Sequence, residues 1–110
     1  MLPMSLFRDN PDIIRADHDK RGISHDNIDE VIRLDGEWKQ ALHEMEMARR
    51  ERNTAARGIA EAKKSGDAAE AERIMAEVAD LGASIDALDE RAKDLSNQRD
   101  SLRMGIPNIL

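Results

Sequence analysis

The side chains of this sequence that could do chemistry are cations crowded into one short stretch. Between residues 48 and 64 stand Arg49, Arg50, Arg52, Arg57, Lys63 and Lys64 against only Glu51 and Glu61, a net charge of +4. Everything around that stretch is acidic. Residues 1–47 carry six basic and eleven acidic side chains, residues 68–104 carry five and nine, and Asp67 adds one more, so the chain stands at −6. On a helical projection Arg49, Arg50, Asn53, Arg57 and Lys64 fall within about 100° of one another. Such a row suits a phosphate backbone. The competing reading is a solvated helix face whose charge is incidental. No aromatic residue interleaves with the row, so stacking on bases is not indicated, and there is no base-reading motif. The chemistry on offer is recognition of backbone and shape. The negative total argues against non-specific nucleic-acid binding by the rest of the chain.

Other chemistries find no support. With no cysteine there are neither disulfides nor thiolate metal sites. His18, His25 and His43 show no metal-ligand spacing and read as surface or capping histidines. There is no glycine-rich phosphate loop and no nucleophile constellation. The expectation is a chain without catalytic residues, bound cofactor or metal. No apolar run reaches the length of a membrane span and the N-terminus lacks a signal-peptide layout, so a soluble cytoplasmic protein is expected.

The elements that must position the cations are long helices. Charged residues make up 36% of the sequence and the only aromatics are Phe7 and Trp38, a profile of helical hairpins or coiled coils rather than of a thick core or a sheet. Stepping by three and four from Val31 meets Leu34, Trp38, Ala41, Met45, Ala48, Arg52, Ala55, Ile59 and Ala62; the same steps from Ala71 meet Ile74, Val78, Leu81, Ile85, Leu88, Ala92, Leu95, Arg99 and Leu102. Each run is apolar at all positions but one, which is a heptad seam. The runs mirror each other about the Gly66–Asp67 bond, Ala62 pairing with Ala71 and Val31 with Leu102. A short loop between them demands antiparallel neighbours. The stretch AKKSGDAA, residues 62–69, has the chemistry of that turn: Lys63 and Lys64 suit the helix dipole, Gly66 suits a left-handed helix end, and Asp67 with Glu70 has capping-box spacing. Residues 31–62 would make an arm on the order of 48 Å long. For Arg52 and Arg99, the two polar seam positions, the plainer expectation is that their stems cover the seam while the guanidinium groups reach water; the alternative is that either reaches a ligand.

Shorter signals flank the seams. Asn10 reads as a helix cap with Pro11 at the first helical position, and the helix stops at Gly22. Asn27 and Glu30 form a cap-like pair before the long helix. Leu2, Leu6 and Phe7 need burial, for which Trp38, Leu95 and Leu102 offer apolar ground. Pro107 ends the second long helix, and the apolar tail behind it reads as the start of a linker. The fold expected is all-α: a long antiparallel two-helix coiled-coil hairpin with a short N-terminal helical cap at its base. In residues, that is a cap over 1–26, a hairpin over 27–104 with its tip at 65–67, and a linker from 105 to 110.

The opening MLPMSLFRDNPDIIRADHDKRG, the segment LDGEWKQALHEMEMARRERNTAARGIAEAKKSGD and the close RMGIPNIL together resemble the N-terminal region of seryl-tRNA synthetases, over essentially all 110 residues. That family has a hydrophobic start, an Arg-x-Asn-Pro helix, a Lys-Arg-Gly stop, an arm helix with Arg-x-x-Arg-Asn, and a junction to the catalytic domain. The resemblance implies an arm that lies against tRNA(Ser) between its long variable arm and its TΨC side, reading backbone and shape and leaving the anticodon alone. It implies a homodimeric class II parent enzyme whose ATP, serine and metal act in a catalytic domain absent from this chain. It places tRNA contacts, by position on the arm helix, at Arg49, Arg50, Asn53, Arg57, Lys63 and Lys64.

Two other readings compete. A structural or adaptor coiled coil would leave the cationic row without a role, but adaptors more often mix charges evenly beside the seam. A client-gripping hairpin would need an apolar tip, and AKKSGDAA offers none.

Overall fold

The computed structural model describes residues 1–109, which form four helices and no strand: α1 (Met4–Asp9), α2 (Pro11–Arg21), α3 (Asp26–Lys64) and α4 (Ala68–Met104). The all-α hairpin of two long helices expected from the seams is what forms. Every seam position from Val31 to Ala62 and from Ala71 to Leu102 is buried or half-buried. The chain divides into two compact units, Met1–Lys39 with Lys93–Leu110, and Gln40–Ala92.

In the first unit, hereafter the core unit, α1 and α2 supply apolar bulk to the ends of the long helices. Leu2, Met4, Phe7, Ile14, Ile28, Val31 and Ile106 cluster, with Leu6, Ile32, Leu102 and Ile109 packed on them. Leu102 is therefore one of the partners foreseen for the N-terminal apolar residues. Trp38 and Leu95 are not: Trp38 faces the guanidinium of Arg99 instead, 4.7 Å from ring centroid to charge. Pro11 stands at the first position of α2 with Asn10 in the cap place, but the Asn10 side chain makes no capping bond. Gly22 ends α2 at φ 69°, and Ile23 N–H returns to His18 O at 2.9 Å, a left-handed helix stop. The start of α3 differs from the reading at Asn27 and Glu30. Asp26 opens the helix with its N–H on Ser24 Oγ at 3.1 Å, and Glu30 lies inside it, bonded to Arg33. A serine two residues before the helix satisfies the first donor, so Asn27 has no capping to do.

The apolar tail folds back. Ile106 is buried in the core cluster, and Arg21 donates to Asn108 O at 3.0 Å. Leu110, the last residue of the stretch read as a linker, lies outside the described residues. His18 also departs from its reading as a surface or capping side chain. It is 1% exposed, one turn after Ile14 on the inner face of α2, and its Nδ1 has no hydrogen-bond partner.

The second unit, the hairpin unit, holds the tip. Gly66 takes φ 75°, and Asp67 N–H bonds Ala62 O at 2.9 Å across the end of α3. Asp67 Oδ1 then accepts Glu70 N–H at 3.0 Å and caps α4. The capping box is half made, because the Glu70 carboxylate turns to Arg73 rather than back to Asp67.

Candidate nucleic-acid interface

Residues 48–64 are helical for local reasons as well as tertiary ones. Alanine, arginine, lysine and glutamate are strong helix formers and dominate the stretch. Its seam residues Ala48, Arg52, Ala55, Ile59 and Ala62 turn inward and are half-buried or buried. That fixes the rotation of the helix and turns the cationic row outward. Arg49, Arg50, Asn53, Arg57, Lys63 and Lys64 are all exposed. Five of the six form one face. Lys63 stands apart, roughly 90° round from the middle of that face, beside the seam.

The partners of these cations separate them from the rest of the chain. Arg50 bonds Glu46 at 2.9 Å, an exposed i,i+4 pair, which is worth little in water. Arg49, Arg57, Lys63 and Lys64 make no ion pair among the described residues, and Glu61, four residues after Arg57, does not engage it. Elsewhere the pattern is reversed. Arg8, Arg15, Arg21, Arg33, Lys39, Arg73, Arg99 and Arg103 each hold a carboxylate. Arg33, for example, lies between Glu30 and Glu37. Lys20 and Arg91 also hold no carboxylate among the described residues, but the densest uncompensated positive charge lies on the second half of α3, and such groups are free to exchange counter-ions for phosphates.

The seam arginines resolve differently from each other. Arg52 is half-buried with no ion pair, consistent with a stem laid along the seam. Arg99 does not reach water as expected. It is buried at 7% exposure and donates to Asp35 Oδ1 at 2.9 Å and to Asp100 Oδ1 at 3.0 Å. Arg8 grips the same Asp35 with two parallel bonds of 2.9 and 2.8 Å, and Lys39 Nζ lies 3.6 Å away. Arg103 closes the group with bonds to Asp100 at 2.7 Å and to Leu2 O at 2.8 Å. The forked bond from Arg8 is the main reason the Asp35 carboxyl titrates at about 2; burial opposes it, and Arg99 and Lys39 add to it. The hydrogen bond from Arg99 likewise lowers Asp100. Each guanidinium nitrogen of Arg99 thus donates to a carboxylate inside the core unit. The signal for this cluster was present at Asp35, the neighbour of Leu34 in the layer that faces Arg99, because a polar seam residue calls for an opposite charge close by.

Among the described residues, no three His, Asp or Glu side chains converge as metal ligands would. No helix among them is long and apolar enough to cross a membrane.

The family model described as the seryl-tRNA synthetase N-terminal domain matches residues 1–110. The chain belongs to that family. As a seryl-tRNA synthetase N-terminal domain it is similar to serine–tRNA ligases from Rhodopseudomonas palustris (38% identical over 109 residues, 99% of this chain and 25% of the relative) and Clavibacter michiganensis (34% over 110 residues, 100% and 25%). The crystal structure of seryl-tRNA synthetase from Pyrococcus horikoshii complexed with ATP superimposes on this domain with a TM-score of 0.93 at 31% identity, over 99% of this chain and 24% of that one. The domain thus spans about a quarter of the length of the relatives it matches.

Proposed function

We propose that this chain is the tRNA-binding arm of a serine–tRNA ligase. It takes the long variable arm and elbow of tRNA(Ser) by backbone and shape, through Arg49, Arg50, Asn53, Arg57 and Lys64 on one face of α3 with Lys63 beside it. The observation that carries this reading is that Arg49, Arg57, Lys63 and Lys64 hold no ion pair among the described residues, when most Lys and Arg outside that stretch hold carboxylates. Family membership supplies the RNA; the charge pattern supplies the surface. The arm contributes affinity and orientation. ATP, Mg and serine belong on this reading to a class II catalytic domain beyond the tail, in a cytoplasmic homodimer, and no chemical step runs through these residues.

The test is binding of this chain to one tRNA with a long variable arm and one without, across a salt series. The long-armed tRNA is expected to bind more tightly, with affinity falling as salt rises. Changing Arg49, Arg50 and Arg57 together to Ala should lower the salt slope by up to roughly three. An unchanged slope removes the face from the mechanism. Indifference to both tRNAs moves an adaptor coiled coil ahead.

A further inference from the structure

Beside the cationic face, the hairpin unit holds an open groove of about 450 Å³ between α3 and α4. We propose that this groove is a site for a single unpaired nucleotide of the bound RNA, an inference that rests on the phosphate-binding reading above. Its walls are apolar where the two helices meet: Ala55 and Ile74 lie low in it, and the half-exposed Met47 presents a thioether, which packs well against aromatic rings. The groove stays open because residue 58 is glycine. A Cβ there would stand 3.2 Å from Ile74 Cδ1, and glycine is otherwise a poor choice inside a helix.

The rim identifies the occupant. Arg50 and Arg73 bring donors, Glu51 and Glu77 bring acceptors, and Thr54 brings a hydroxyl that is both. Two carboxylates would repel a phosphate. A purely apolar segment would cut Glu51 and Glu77, which hold no ion pair among the described residues, off from water without a partner, while Arg50 and Arg73 keep theirs on Glu46 and Glu70. A flat heteroaromatic ring with donors and acceptors on its edges satisfies walls and rim together. A base within a duplex shows only its edges, so the base that enters is unpaired.

Sequence places the groove where such a base would fall. Arg50–Glu51, Asn53–Thr54 and Arg57–Gly58 are consecutive pairs, the first of each on the cationic face and the second in the groove. The two tracks run along one helix about 100° apart, and Arg50 belongs to both. A strand laid with its phosphates on the first track has its bases within reach of the second.

The experiment compares two RNA stems on this chain, one fully paired and one with a single bulged 2-aminopurine. The bulged stem is expected to bind up to about tenfold more tightly, the upper worth of one thioether–ring contact, with a change in 2-aminopurine emission. Gly58→Leu fills the groove and should erase both signals while leaving affinity for the paired stem unchanged. Thr54→Leu crowds the groove from its rim without touching Ile74, and decides the matter if circular dichroism shows that Gly58→Leu loses helix. Arg57→Ala should weaken both stems alike and keep their ratio. Equal binding of the two stems, or a ratio that survives both leucine variants, overturns the nucleotide site and leaves phosphate binding standing. Binding of neither stem overturns both.

Discussion

Asp35 is the residue on which the core unit's polar interior turns. It accepts two bonds from Arg8 and one from Arg99 while 4% exposed. Asp35→Ala would leave Arg99 buried without its inward partner, a change that costs about 3 kcal/mol when the companion charge cannot escape to water; urea melts would read it. The sign of the pH effect follows from the lowered carboxyl. Ordinarily near 3.8 and held at about 2 in the folded chain, Asp35 contributes stability that is complete above about pH 4 and lost as pH falls toward 2. Acid melts of the wild type should steepen in that window, and Asp35→Asn should flatten them. Among the exposed arginines the ion pairs set a ranking. Arg57→Ala should weaken binding of a fully paired RNA stem more than Arg50→Ala, since Arg50 already shares its charge with Glu46. Equal losses would show that the Glu46 pair does not survive in solution.

At the scale of elements, the tip and the helix interiors make opposite predictions for the same substitution. Gly66 has φ 75° with open space around it, so Gly66→Ala strains only the backbone and should cost about 1 kcal/mol. Asp67→Ala removes the cap on Glu70 N–H and should cost a similar amount, about 1 kcal/mol. Gly36 and Gly82 lie inside α3 and α4, where a Cβ would meet nothing within 4 Å and φ is not positive. Alanine at each should stabilise by up to about 1 kcal/mol, chiefly through helix propensity. Thermal melts of the four variants, two falling and two rising, would test whether the helices are limited by local preference or by packing.

At the scale of the whole molecule, the sign of the charge changes along the chain, and on the proposed reading this makes RNA binding selective by face. A chain of net −6 repels RNA except where the cations are uncompensated. Reversing Arg49 and Arg57 to Glu should therefore abolish RNA binding. Reversing Arg15 and Arg33, which hold Asp29 and Glu37, should change it little. Loss of binding in both double variants would mean that total charge governs, and that no particular face does.

What the sequence by itself determined was everything with a period or a short range. Heptad spacing set the two seams, and their mirror symmetry about Gly66–Asp67 set the hairpin, because a side chain's direction on a helix depends only on its position in the repeat. The tip was legible because helix ends are made by neighbours. The exposure of the cationic face followed once the seam was known. Tertiary structure decided what depends on partners far apart in the chain. Arg99 was read as reaching water, and its burial rests on Asp35, 64 residues away, and on Trp38. His18 was read as a surface or capping side chain and is buried on the inner face of α2 with Ile14. The groove that Gly58 leaves open beside Ile74 emerges only when side chains from α3 and α4 are brought together. Such contacts have no spacing rule, because the fold places them and the repeat does not.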